Sequence, residues 1–470
     1  MWIFSKFNAN IAIIEESGEK ITYAELQTAC EALVSKTCGR SVAFNFCINE
    51  KGSLLGYVAF INGGIVPVML DAALDRGLVS SLIENYKPDY LWLPQNMSGE
   101  FSGCSELCSV WGYTLLKTAY NRVFPLYKEL ALLLTTSGST GSPKFVRQSY
   151  ANIQANTESI VEYLRLDASE RPVTTLPMSY TYGLSIINSH LWAGASIIFT
   201  QKTLMQKEFW QQFKDYGATS FGGVPYIYEM LEKLRFFRMD LPVLRTMTQA
   251  GGKLSPELHK KFAEYAQANG KKFVVMYGQT EATARMSYLP AEKSLEKYGS
   301  MGIAIPGGEF SLIDVDGNVI TEPEVVGELV YKGANVTLGY AESGADLIKS
   351  DERGGVLVTG DMAKRDEDGF YYIVGRKKRF LKIFGSRVNL DETEQLLNGA
   401  FEGLDCACGG IDDKMTVFIS DAAASDKVIK FLTEKTKINH VAFKIAVIDK
   451  IPRSEAGKIL YSELNKIDHR

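Results

Sequence analysis

The sequence predicts an α/β fold, followed by a small β-rich module and a short α+β carboxyl-terminal unit, and three observations carry that prediction. Apolar strand-like runs alternate with helix-like stretches from the start to about residue 290, short strands punctuated by glycine fill roughly 300–374, and the pattern resets after the basic run Arg376-Lys377-Lys378-Arg379.

In chain order, the apolar runs at 41–46, 65–70, 90–93, 130–135, 196–199 and 272–276 read as strands. The helix-like stretches between them imply crossover connections and mostly parallel sheets. The stretch 54–70 carries no charge, but Asn62-Gly63-Gly64 and Pro67 interrupt it. It reads as a core helix, a glycine turn and a buried strand, not a membrane span. Gly307 to Ile313 and Gly327 to Tyr331 have the texture of short strands opened by glycine. Beyond the basic run, strands are expected at 415–419 and 443–447 and a helix at 426–436.

At roughly 150 residues per domain, 470 residues amount to about three domain-sized units. A composition of 46% hydrophobic and 23% charged residues excludes disordered, collagen-like and coiled-coil classes. With 51 basic against 55 acidic side chains the net charge is −4, so no basic field recruits nucleic acid or an anionic membrane. Seven cysteines, of which only Cys406 and Cys408 are closely spaced, suit reduced thiols and a cytoplasmic location. The amino terminus has no basic stretch leading into an apolar core, so export is not expected. The four histidines are scattered without metal-ligand spacing.

The segment Leu132-Leu133-Leu134-Thr135-Thr136-Ser137-Gly138-Ser139-Thr140-Gly141-Ser142-Pro143-Lys144 is an apolar strand opening into hydroxyls, glycines and one lysine. Backbone N–H groups freed by glycine, hydroxyl donors and an ammonium make a phosphate cradle. The spacing is not that of a Walker A loop, because Lys144 follows Pro143 rather than a glycine. No Gly-x-Ser-x-Gly elbow makes Ser139 a nucleophile.

This segment resembles the Thr-Ser-Gly-Ser-Thr-Gly-x-Pro-Lys signature of the adenylate-forming superfamily, which holds acyl-CoA synthetases, the adenylation domains of peptide synthetases and firefly luciferase. Further motifs follow in that family's order: Tyr277-Gly278-Gln279-Thr280-Glu281, Thr359-Gly360-Asp361, Gly375-Arg376 with Lys382 and Gly385, and Pro452-Arg453-Ser454-Glu455-Ala456-Gly457-Lys458, and Ala250-Gly251-Gly252 resembles a further loop of the family. The last motif usually ends in arginine, where Tyr461 stands. The resemblance spans roughly 20–465.

The resemblance implies a large domain, 1–377, of two parallel-sheet α/β lobes plus a β-barrel-like module at about 290–374. A mobile domain, 378–470, follows, with a hinge near Lys378. It implies attack of a carboxylate on the α-phosphorus of ATP, then transfer of the acyl group to a pantetheine thiol of CoA or a carrier protein. Such chemistry is dominated by positioning and charge neutralisation. The roles it implies are phosphate binding by Thr136, Ser137, Gly138, Ser139, Thr140, Gly141 and Lys144, α-phosphate contact by Thr280, and Mg²⁺ binding by Glu281. Tyr277, Gly251 and Gly252 would lie along the adenine, Asp361 and Arg376 at the ribose, and Lys458 between the substrate carboxylate and the α-phosphate. Gly385 would border the pantetheine tunnel.

Tyr180 and Ala250 would line the acid pocket, Tyr180 standing where relatives often carry a gating aromatic or histidine. Relatives that activate amino acids carry Phe-Asp in this block, and residues 179 and 180 are Ser and Tyr. An unpaired buried ammonium is costly, so a carboxylic acid without an α-amino group is expected. The alternatives are an amino-acid–carrier-protein ligase, a luciferase-like oxygenase, and a non-catalytic nucleotide-binding protein, the last of which would need loss of Lys458 or Glu281. The length leaves little room for an added carrier domain, so the thiol acceptor is expected as a separate molecule.

Overall fold

The computed structural model describes residues 1–135, 144–384, 386–401, 403–436, 438–453 and 459–468. The loop residues Thr136, Ser137, Gly138, Ser139, Thr140 and Gly141, together with Gly385 and Lys458, lie outside the described residues. The chain divides into two compact units: the described residues of Met1–Thr136, Ser142–Glu309 and Tyr331–Leu357, and those of Phe310–Val330 and Val358–Arg470.

The larger unit is built on an eight-stranded sheet with a parallel centre of Leu130–Thr135, Val66–Asp71, Val42–Cys47 and Tyr90–Pro94. Every residue of Val42–Cys47 is buried, as a strand covered on both faces requires. The helix Lys51–Asn62 lies flush on this sheet because two of its residues are glycine. A Cβ on Gly52 would sit 2.2 Å from the Tyr113 ring and one on Gly56 2.2 Å from Trp92. The helix ends at Gly63, and Gly64, at φ +74°, turns the chain into Val66–Asp71. A second sheet runs Ser220–Gly223, Thr246–Gln249 and Lys272–Tyr277 in parallel, then Ser287–Tyr288 and Ile303–Ala304 antiparallel. The strand Gly339–Ala341, inside the span expected to form the β-rich module, instead pairs antiparallel with Phe145–Ser149 at the edge of the eight-stranded sheet. Buried Arg147 secures it by donating to the carbonyls of Tyr340 (2.9 Å) and Leu338 (3.1 Å) and to the Glu352 carboxylate.

The smaller unit is organised around a five-stranded sheet in the order Val319–Ile320, Gly308–Ile313, Gly327–Gly333, Val356–Arg365, Tyr371–Arg376. After the 3₁₀ turn Lys377–Arg379, which contains Lys378, comes the hairpin Phe380–Ile383 and Ser386–Asn389. A three-stranded sheet of Cys406–Ile411, Lys414–Ile419 and Phe443–Val447 then packs with the helices Leu390–Ala400 and Ser425–Thr436. The architecture is the α/β fold, with a small carboxyl-terminal part, that the sequence predicts.

The departure at Tyr461 has a counterpart in this core. Glu394, 7% exposed, accepts from Arg379 Nη2 (2.6 Å), from the Cys408 N–H (2.6 Å) and from the Tyr461 phenol (2.8 Å), and the Arg379 guanidinium lies 3.7 Å from the centre of the Tyr461 ring. Arg379 therefore brings to the terminal helix a cation that the motif usually carries at position 461. Breaking a buried pair from one side leaves an uncompensated charge, so Arg379→Met is expected to lose about 3–5 kcal/mol of stability in urea denaturation of the full chain. Adding Tyr461→Arg should recover part of that loss, and no recovery would show that Arg379 acts by packing alone.

Candidate active site

In the second sheet the strands Ser220–Gly223 and Thr246–Gln249 end level with one another, opposite Val275, two residues before the third strand ends at Tyr277. The residues at and after these ends, Val224, Ala250-Gly251-Gly252 and Tyr277 to Glu281, therefore emerge at one edge. The carboxyl ends of parallel strands are where open α/β sheets bind ligands, because side chains and helix starts converge there.

The backbone after Tyr277 is strained. Thr280–Ala282 forms a 3₁₀ turn, and Thr283 (φ +56°) and Ala284 (φ +103°) then take positive φ although neither is glycine. Hydrogen bonds hold the turn there: Thr283 Oγ1 donates to the Asn335 carbonyl (2.7 Å), and Asn335 Nδ2 to the carbonyls of Ala282 (2.8 Å) and Arg285 (3.1 Å). Asn156 Nδ2 adds a bond to the Arg285 carbonyl at 2.8 Å. Strain of this kind persists only where surrounding contacts over-determine it, and it concentrates at functional sites. Gly278 is part of the same device, since a Cβ there would lie 1.6 Å from the Ala284 carbonyl oxygen. Gly278→Ala is expected to destabilise the larger unit by about 3 kcal/mol, because backbone rather than a flexible side chain must move. A denaturation midpoint equal to that of the parent protein would contradict this.

Glu281 is the centre of a charged cluster. One oxygen of its carboxylate accepts from the Tyr340 phenol at 2.6 Å. Its backbone carbonyl accepts from the Thr337 N–H (3.0 Å), Thr337 Oγ1 (2.9 Å) and Arg353 Nη1 (2.9 Å). Two cations lie over the Tyr340 ring, the Lys144 ammonium 3.8 Å and the Arg353 guanidinium 4.8 Å from its centre. Burial, reinforced by the Glu281 charge, pushes the Tyr340 phenol up to about 12, so at neutral pH it remains a donor. The cluster offers a carboxylate with one oxygen held in place, and a lysine set at the start of Phe145–Ser149 where the glycine-rich loop returns. Among the described residues no group of three or more His, Cys, Asp or Glu is placed to hold a metal ion.

The acid pocket expected around Tyr180 and Ala250 coincides with an apolar cluster that includes Tyr182, Val224, Ala250 and Met276, with Tyr163 and Tyr180 packed against it. Tyr180 precedes the helix Thr181–Trp192, and its ring lies 6.4 Å from that of Tyr182 at 75°. Gly251, at φ +83°, lets the chain pass the Tyr180 phenol, which a Cβ would approach to 2.5 Å. Gly252 lies against Pro225, and Gln279 Nε2 donates to the Tyr277 phenol at 3.2 Å.

In the smaller unit, Asp361 and Arg376 are cross-strand partners, and Arg376 Nε lies 3.6 Å from Asp361 Oδ1. The aspartate side chain is 8% exposed and the arginine 70%, so a buried acceptor is paired with a largely exposed cation. Gly360 takes φ +73° within the strand Val356–Arg365, directly before Asp361, and Thr359 Oγ1 accepts from the Asp361 N–H at 3.1 Å. The geometry thus gathers Lys144, Ala250, Gly251, Tyr180 and Glu281 in one unit and pairs Asp361 with Arg376 in the other.

A family model described as AMP-binding enzyme matches residues 118–341. A peroxisomal OPC-8:0-CoA ligase of Arabidopsis thaliana is 31% identical over 353 residues, 72% of this chain and 64% of that protein. The chain belongs to the adenylate-forming superfamily. An oxalate–CoA ligase from the same plant is 30% identical over 70% of this chain and 66% of its own length. The matched segment therefore spans less than two thirds of either relative. Among solved structures, the O-succinylbenzoate CoA synthetase of Bacillus subtilis in complex with AMP has a TM-score of 0.78, covering 98% of this chain and 96% of that one at 21% identity, a likeness of fold.

Superfamily motifs pointed to Glu281 and Lys144 but not to Tyr340, Thr337 or Arg353, which hold them. These lie 56 to 72 residues beyond Glu281 and reach it through the pairing of Gly339–Ala341 with Phe145–Ser149. Gly339-Tyr340 carries no local sign of that pairing. Arg285, four residues after Glu281, lies outside the superfamily motifs.

Proposed function

We propose that the protein is an AMP-forming carboxylate ligase that activates a carboxylic acid without an α-amino group and passes the acyl group to CoA. The observation that carries this reading is Glu281, held by Tyr340 beside Lys144 in the turn that follows the strand Lys272–Tyr277. A single hard carboxylate with water-accessible surroundings fits Mg²⁺, which keeps several waters and takes one or two carboxylates. When bound, the ion neutralises phosphate charge. Lys144 and the glycine-rich loop 136–141 would hold the departing phosphates, with Thr280 at the α-phosphate and Tyr277, Gly251 and Gly252 along the adenine. Asp361 and Arg376 would take the ribose hydroxyls. Lys458 would bridge the reacting carboxylate and the α-phosphate, where negative charge gathers.

Two relatives whose names state CoA ligase activity support CoA as acceptor, with a separate carrier protein as the alternative. We also propose that residues 378–470 form the mobile part, pivoting at Lys378, with Gly385 beside the pantetheine arm. A cytoplasmic location belongs to the same proposal, and seven cysteines without a disulfide support it. Among the described residues no helix is long and apolar enough to cross a membrane. The test is pyrophosphate release from MgATP across a panel of free acids, with and without CoA. Release with amino acids alone would overturn the substrate class, and thioester formation only on a carrier protein would overturn CoA.

A further inference from the structure

Arg285 is 2% exposed, and all of its partners among the described residues are neutral. Its Nε donates to Ser185 Oγ (3.1 Å), its Nη1 to the Tyr163 phenol (3.0 Å) and toward Met276 Sδ (3.4 Å), and its guanidinium lies 5.3 Å from the centre of the Tyr182 ring. Among the described residues no carboxylate pairs with it and Nη2 makes no hydrogen bond. A guanidinium cannot shed its proton, and burying one without a counter-charge is costly. Packing alone would be better served by an apolar side chain of similar size. The expense falls within the apolar cluster where the acid is expected, because Tyr163, Tyr182 and Met276 belong to the same cluster as Tyr180, Val224 and Ala250. The backbone also treats this residue as something to be aimed. The strained Thr283-Ala284 turn leads directly into it, and Asn156 and Asn335 both clamp its carbonyl.

We propose that Arg285 is the receptor for a second carboxylate at the far end of the acyl group, so that the acid activated is a dicarboxylic one. The inference rests on the ligase reading above and names its substrate class. The second carboxylate is bound and does not react: it supplies the charge that the buried guanidinium lacks and accepts from Nη2, while Nε and Nη1 keep their bonds to Ser185 and Tyr163. A neutral terminus would leave that charge unpaired, which gives discrimination against monoacids.

The test compares pyrophosphate release, in the full chain with MgATP, for dicarboxylic acids of graded length against their monomethyl esters. The parent protein is expected to favour a diacid by about 100-fold in kcat/KM, the scale of a buried charge pair. Arg285→Gln should erase that preference mainly through KM while keeping turnover of the ester, and Arg285→Lys should restore part of it. A parent protein that prefers esters or simple monoacids refutes the proposal, whatever the variants do. So does an equal loss for both substrates in Arg285→Gln at an unchanged melting temperature, which would mark a purely structural arginine. No release with any acid would refute the ligase reading. In that case a rise in melting temperature with a diacid that disappears in Arg285→Gln would still support the receptor, and no rise would refute it.

Discussion

Lys458→Ala is expected to lower acyl-adenylate formation by about 10³-fold while conversion of a supplied acyl-adenylate to thioester stays within a few-fold of the parent protein. The superfamily resemblance places this lysine where two anions, the attacking carboxylate and the α-phosphate, approach each other, and a cation there is worth most as the charges converge. Once the adenylate exists, that convergence is over. Pyrophosphate exchange measures the first half-reaction, and thioester formation from synthetic adenylate measures the second. Equal losses in both would show that Lys458 supports the fold of the terminal segment and not the chemistry.

Glu281→Gln is expected to reduce adenylate formation by about 100-fold or more with little change in stability. The amide keeps an acceptor for the Tyr340 phenol, now 2.6 Å from the carboxylate, and the backbone bonds from Thr337 and Arg353 are untouched. The charge alone is removed, and with it the ligand suited to Mg²⁺. Raising Mg²⁺ should recover part of the loss if the defect is metal affinity. An undiminished rate at ordinary Mg²⁺ would remove Glu281 from the site. Because Tyr340 has a neutral phenol that positions the carboxylate, Tyr340→Phe should cost far less than Glu281→Gln.

The residues proposed to contact ligand are legible where they interrupt or border an apolar strand. Lys144, Glu281, Gly251 and Asp361 are readable because glycine, hydroxyl and charged residues leaving an apolar run have few structural uses. The supports were not legible. Tyr340 and Arg353 reach Glu281 across a strand pairing set by registry with Phe145–Ser149, and Asn335 reaches the strained turn from the same returning segment. A single sequence carries no sign of which distant strand edge will be filled. The odd residue at position 461 was visible as a departure, yet its meaning depended on Arg379, 82 residues earlier, lying over the same ring.

By itself the sequence determined the layered α/β plan, the order of the glycine-rich and acidic motifs, and the absence of an aspartate that would pair a substrate ammonium, since each is written in local residue types and spacing. Only the tertiary structure decided that Glu281 is held by Tyr340, that Glu394 takes its cation from Arg379, and that Arg285 is buried without a counter-charge among the described residues. The reason is physical. What a charged side chain costs or contributes depends on its burial and on the groups around it in space, and those are set by packing between segments far apart in the chain.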